Sequence, residues 1–147
     1  GEDIPGSPSQ HKAFISRFVQ LEPRVRLGQE LVANGLSSCA IDTSDGILQD
    51  IAHIAKASEV TAQIDYESLP FALPKFREEQ QIRFGGDYEL AFTSNASNHD
   101  LLSKLGCFKI GNVIPRQEAK ILLCKRGQVM SDINLSGYDH FLLKSKE

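Results

Sequence analysis

Cys39-Ala40-Ile41-Asp42-Thr43-Ser44-Asp45-Gly46-Ile47-Leu48 runs from the end of an apolar strand through an acidic turn into a helical repeat. Ile47, Leu48, Ile51, Ile54 and Ala55 recur at helical spacing after the turn, and Cys39, Ala40 and Ile41 precede it as a buried strand end. Two carboxylates and a hydroxyl therefore sit where a strand hands over to a helix. Ligands of layered sheet-and-helix folds tend to bind at such strand ends. Backbone N–H groups at the helix start can face an anion, while Asp42 and Asp45 offer hard oxygen ligands suited to Mg²⁺. The competing reading is purely structural, with Ser44 or Asp45 serving as the helix N-cap.

A second acidic cluster follows at Phe84-Gly85-Gly86-Asp87-Tyr88-Glu89-Leu90-Ala91-Phe92-Thr93. The glycines permit close backbone approach to a ligand, and Tyr88, Leu90 and Phe92 alternate as a strand would. Carboxylates again stand at a strand boundary.

Outward from these clusters the pattern predicts an α+β domain. Phe14, Ile15, Phe18 and Val19 mark one helix; Leu27, Leu31, Val32 and Leu36 mark another, stopped by Gly35. Strands are expected over 38–41, 60–66, 88–93, 107–114, 119–124 and 128–130, the last two joined by a turn at Arg126-Gly127. Helices are expected from the acidic turn to Ala57, over 75–81 and over 100–105. The mixed order of strands and helices implies a mixed sheet layered with helices rather than a doubly wound nucleotide fold. Gly1 to Gln10 is polar and holds Pro5, Gly6 and Pro8, so it reads as a linker or appended remnant, with 11–147 as the domain.

Composition narrows the classes. At 147 residues and 41% hydrophobic content, the chain buries one substantial core but hardly two. A net charge of −3 sets no field for a dedicated nucleic-acid binder. No apolar run approaches the roughly 20 residues that span a bilayer, and no charged-then-apolar signal segment opens the chain, the pattern of a cytoplasmic protein. Cys39, Cys107 and Cys124 stand apart in apolar surroundings, as small hydrophobes rather than zinc ligands. Neither a Gly-x-x-x-x-Gly-Lys-Ser/Thr loop nor a Gly-x-Gly-x-x-Gly turn occurs. Any phosphate chemistry must then rest on acidic residues holding a metal ion, which phosphoryl transfer permits.

Taken together, Asp42-Thr43-Ser44-Asp45-Gly46, Gly85-Gly86-Asp87-Tyr88-Glu89-Leu90, the terminal Gly137-Tyr138-Asp139-His140-Phe141 and Glu22-Pro23-Arg24-Val25-Arg26-Leu27-Gly28 resemble the C-terminal half of thiamine-monophosphate kinase. The order of the four segments agrees, over about Phe14 to Phe141. The resemblance implies a three-layer α-β-α domain with a mixed sheet, like the C-terminal domain of aminoimidazole ribonucleotide synthetase. It implies ATP-dependent phosphorylation of thiamine monophosphate with Mg²⁺, no protein nucleophile, and homodimers in the full-length enzyme. The N-terminal domain, which supplies most metal-binding aspartates in the family, has no counterpart here, so the fragment alone is expected to be inactive. By the same resemblance Asp42 and Asp45 are metal ligands, Ser44 contacts the nucleotide phosphates, and Asp87 and Tyr138 contact the substrate. The family's acidic substrate contact between the glycines and Asp-Tyr-Glu-Leu is here replaced by Gly86 or deleted; Asp87 takes its place, and Glu89 is a minor candidate. Two other readings stay open: another ATP-using enzyme of the superfamily, such as a selenophosphate synthetase-like protein, and a non-catalytic binding module whose acidic turn is only a cap.

Overall fold

The computed structural model describes residues 6–73, 75, 77–83 and 85–130. Among these, helices α1 (Pro8–Val19), α2 (Val25–Ala33), α3 (Ile47–Ala57), α4 (Glu78–Arg83) and α5 (His99–Lys104) are interspersed with six strands. The strands are β1 (Ala40–Asp42), β2 (Val60–Asp65), β3 (Leu90–Phe92), β4 (Gly111–Pro115), β5 (Ile121–Lys125) and β6 (Gln128–Val129). The larger sheet has the order β4-β2-β5-β6, with β2 antiparallel to β4 but parallel to β5, and β6 antiparallel to β5. It is the mixed sheet of an α+β domain. β1 and β3 form a separate antiparallel pair, with Ala40 opposite Phe92 and Asp42 opposite Leu90.

α3 joins the two sheets. Its repeat buries Leu48, Ile51, Ile54 and Ala55, and Leu48, Ile51 and Ala55 enter one core with Ala62 and Ile64 of β2 and Ile121 and Leu123 of β5. Each such Leu or Ile contributes about 1.5–3 kcal/mol by leaving water. Tyr66, Leu69 and Ile82 complete the cluster. α3 also contacts β1, β3 and α4, so the helix that anchors the core also fixes the end of β1. Thr61, fully buried on β2, donates its hydroxyl to Ala119 O (2.7 Å) and accepts the Gln117 N–H (2.8 Å), which pins the loop between β4 and β5.

Several boundaries move from the sequence reading, each for a local reason. α1 begins at Pro8, so the last residues of the segment read as a linker are helical; proline is well suited to a helix start. α2 stops as expected at Gly35 (φ +61°), where Leu36 N–H reaches Leu31 O and Gly35 N–H reaches Val32 O while Leu31 and Leu36 are both buried. β1 starts two residues late because the Ser37 side chain takes up the Cys39 backbone, accepting from its N–H and donating to its carbonyl. Tyr66 leaves β2 for a 3-10 turn over Tyr66–Ser68, capped by the Asp65 carboxylate on the Glu67 N–H. α4 begins at Glu78 because Lys75 and Arg77 hold φ of +66° and +45°, outside the right-handed helix, and the Glu78 carboxylate accepts the Lys75 N–H at 2.7 Å. Of the cysteines, Cys124 is buried while Cys39 and Cys107 are half-buried, and all three are free thiols.

Candidate functional site

The two acidic clusters form one structure. Beyond β1 the chain folds along the segment that precedes β3, and the two backbones bond repeatedly: Thr43 N–H to Glu89 O (2.8 Å), Tyr88 N–H to Thr43 O (3.0 Å) and Gly86 N–H to Ser44 O (3.0 Å). Thr43 is buried at 4% exposure, its hydroxyl donating to Glu89 O and accepting from the Glu89 N–H. Gly85 is required by this contact, because a Cβ there would lie 1.8 Å from Ser44 O. Gly86, at φ +95°, faces open space. A side chain at the place of the family's acidic residue would thus meet a backbone that favours glycine, but no steric block.

Asp42 ends β1 with an exposed side chain; Ser44 and Asp45 are half-buried in the turn; Asp87 is exposed on the facing segment. The backbone pairing brings these four residues to one end of the β1–β3 ladder. Tyr138 lies outside the described residues. Tyr88 is not the strand residue that the alternation predicts: it stands before β3 at φ +51° with its side chain 45% exposed. A bulky residue in that region costs on the order of 1–3 kcal/mol, which the flanking hydrogen bonds offset.

The capping alternative fails on geometry. The N-cap of α3 is Gly46, at φ 127° and ψ 133°, with no side-chain cap bond. A Cβ at Gly46 would also lie 2.7 Å from Arg83 O. Among the described residues, the side chains of Asp42, Ser44 and Asp45 make no hydrogen bond, so neither Ser44 nor Asp45 is occupied as a cap. Capping comes instead from inside the helix. Asp50, 2% exposed, turns its Oδ2 back to accept the N–H of Asp45 (3.1 Å) and of Gly46 (3.2 Å). The two N–H groups it accepts belong to the turn before α3, not to Ile47 and Leu48 at the start of the helix. Burial raises the Asp50 carboxyl above the ordinary range, and the two N–H bonds only partly counter it; the Asp45 charge adds to the rise.

Two further residues escaped the sequence reading of the site. Arg24, the residue before α2, grips Glu89 with paired bonds, Nε to Oε2 and Nη2 to Oε1, both 2.8 Å. Glu89, a minor candidate for substrate, is the partner of Arg24, and the pair ties the Glu22–Gly28 segment to the second acidic cluster. Asp50 was readable only as a polar residue in the first turn of a helix, where acids are common.

Among the described residues, no cluster of three or more His, Cys, Asp and Glu could hold a metal ion. Asp42 and Asp45 supply two oxygen donors without protein partners. That is an incomplete set, and its chemistry fits Mg²⁺, which is often held by one or two carboxylates with phosphate and water completing the shell.

This is the α+β fold of the aminoimidazole ribonucleotide synthetase-like domains. Within that class the chain is homologous to thiamine-monophosphate kinases, matching their C-terminal part. It is 39% identical over 140 residues to the Escherichia coli (strain K12) thiamine-monophosphate kinase, covering 87% of this chain and 42% of the relative, and 32% identical over 139 residues to that of Bacillus subtilis (strain 168). The crystal structure of thiamine-monophosphate kinase from Stenotrophomonas maltophilia K279a superimposes with a TM-score of 0.68 at 31% identity, over 86% of this chain and 42% of that one. AaThiL complexed with AMPPCP and TMP shares the fold at a TM-score of 0.69 and 24% identity. No protein-family model matches the chain. The chain spans 42% of the length of these curated relatives.

Proposed function

We propose that this chain is the C-terminal domain, residues 11–147, of a thiamine-monophosphate kinase, which transfers the γ-phosphoryl group of ATP to thiamine monophosphate to give thiamine diphosphate. The observation that carries the reading is the turn at Asp42–Asp45, where the side chains of Asp42, Ser44 and Asp45 are unengaged while the backbone is bonded to the Gly85–Glu89 segment, in a chain 39% identical to one such kinase.

Asp42 and Asp45 hold Mg²⁺, and Ser44 donates its hydroxyl to a nucleotide phosphate oxygen. When bound, the ion neutralises charge on the ATP phosphates and on the transferring group. The substrate phosphate oxygen attacks the γ-phosphorus in line, the bond to the bridging oxygen breaks and ADP leaves, so no protein nucleophile is needed. Asp87 contacts the substrate from the facing segment, and Tyr138 lies against the cationic thiazolium, where an aromatic face is favourable. The remaining metal ligands belong to an N-terminal domain that also forms a homodimer, so the isolated chain does not turn over. We place the enzyme in the cytoplasm; among the described residues no helix is long and apolar enough to cross a membrane.

The test is to incubate the full-length gene product with thiamine monophosphate, ATP and Mg²⁺ and to separate products by chromatography. Thiamine diphosphate and ADP in equal amounts are expected. Hydrolysis of ATP without thiamine diphosphate would overturn the reading.

A further inference from the structure

Asp50 does more than complete a helix end. Its Oδ2 is held among buried atoms and receives the N–H of both Asp45 and Gly46, while its own N–H donates to Gly46 O at 3.0 Å. The bonds run both ways between Asp50 and Gly46, closing the turn into a ring. On the other side of Asp45, the Ser44 carbonyl accepts the Gly86 N–H. Both peptide planes that flank the Asp45 Cα are therefore fixed, one by the neighbouring segment and one by Asp50. Only the side-chain torsions of Asp45 remain to be set. An acid four residues into a helix normally gains little by reaching back past the N-cap, since solvent would satisfy those N–H groups. Here Gly46 is buried, and its N–H would otherwise be orphaned.

We propose that Asp50 is a positioning residue for the Asp45 carboxylate, acting through the backbone of the turn, and that it sets the affinity of the site for a divalent cation. The inference rests on the reading of Asp45 as a metal ligand. It is a claim about where an acceptor oxygen stands, not about a negative charge near the metal. Asparagine at 50 keeps an acceptor oxygen in the same place without the charge; glutamate keeps the charge but moves the oxygen by one methylene.

The experiment uses the full-length protein and Mn²⁺ as a spectroscopic stand-in for Mg²⁺, with free Mn²⁺ read by electron paramagnetic resonance well below the melting temperature of every variant. Asp45→Asn identifies the site by weakening one Mn²⁺ dissociation constant about tenfold or more. Asp50→Asn is expected to stay within about threefold of wild type, and Asp50→Glu to weaken the same site about tenfold. Should Asp50→Glu not fold, Asp50→Ser, whose hydroxyl stops short of both amides, takes its place with the same expectation. Weakening by Asn but not by Glu, weakening by both, or no change in either would overturn the positioning role while leaving Asp45 a ligand. No effect of Asp45→Asn would overturn the ligand reading itself, and the inference with it.

Discussion

The Arg24 guanidinium closes two 2.8 Å hydrogen bonds on the Glu89 carboxylate, joining the start of α2 to the segment that leads into β3 across 65 positions of sequence. Side-chain exposures of 33% and 40% leave the pair partly screened by solvent, so its worth is set by its two-pronged geometry more than by charge. Arg24→Ala and Glu89→Ala are each expected to lower stability by about 1–2 kcal/mol, with a coupling near 1 kcal/mol in a double-mutant cycle. Arg24→Lys, which cannot make the paired bonds, should recover little of it. Strict additivity in urea denaturation would mean that the two side chains do not act together.

The neighbouring glycines at 85 and 86 differ sharply. Alanine at 85 would drive its Cβ to 1.8 Å from Ser44 O, whereas alanine at 86 meets no atom within 4 Å and bears only the strain of φ +95°. Gly85→Ala should therefore destabilise by more than about 3 kcal/mol, or prevent folding, and Gly86→Ala by about 1–2 kcal/mol. Equal melting temperatures for the two variants would contradict the close approach of the two segments.

Tyr66 donates its hydroxyl to Glu78 Oε2 at 2.6 Å, with the Lys125 ammonium 3.9 Å above its ring. That bond, more than any other contact, holds the Glu78 carboxyl below the ordinary range, while burial first and Glu78 second raise the Tyr66 phenol. A carboxyl depressed by folding stabilises the native state above its unfolded value, and that contribution is lost as pH falls through the folded value. Tyr66→Phe removes it. The stability gap between wild type and Tyr66→Phe should be present at neutral pH and narrow as pH drops through the folded-state titration of Glu78. A gap independent of pH from 7 down to about 3 would show that the bond does not carry the shift.

In the full-length enzyme, Tyr138→Ala should raise the Michaelis constant for thiamine monophosphate about tenfold and leave that for ATP unchanged, the scale of one aromatic–cation contact. Equal constants in the two proteins would remove Tyr138 from the substrate site.

What the sequence disclosed, and what it hid, follows the range of the forces involved. The turn at 42–46 and the helix after it were legible because apolar spacing is local, as were the stop at Gly35 and the hairpin at Arg126-Gly127. The parallel pairing of β2 with β5 depends on contacts across the whole domain and leaves no local trace. Tyr88 fits an alternating strand by residue type, yet hydrogen bonds to Thr43 turn it into the left-handed region. In the candidate site the carboxylates were readable because acids at a strand end are conspicuous. Asp50 was not, because whether a helical acid faces solvent or reaches back is decided by the burial of Gly46. Nor was Arg24, whose partner lies on a distant segment.

The central claim is that the Asp42–Asp45 turn holds the metal for phosphoryl transfer, and Asp42→Asn in the full-length protein tests it most directly. Asp42 is exposed and its side chain makes no hydrogen bond among the described residues, so the substitution should leave the melting temperature unchanged. Turnover of thiamine monophosphate with saturating ATP and Mg²⁺ should fall at least about a hundredfold, the several kcal/mol expected when an anionic metal ligand is lost. Near-normal turnover across a range of Mg²⁺ concentrations, in a variant that melts like wild type, would contradict the assignment.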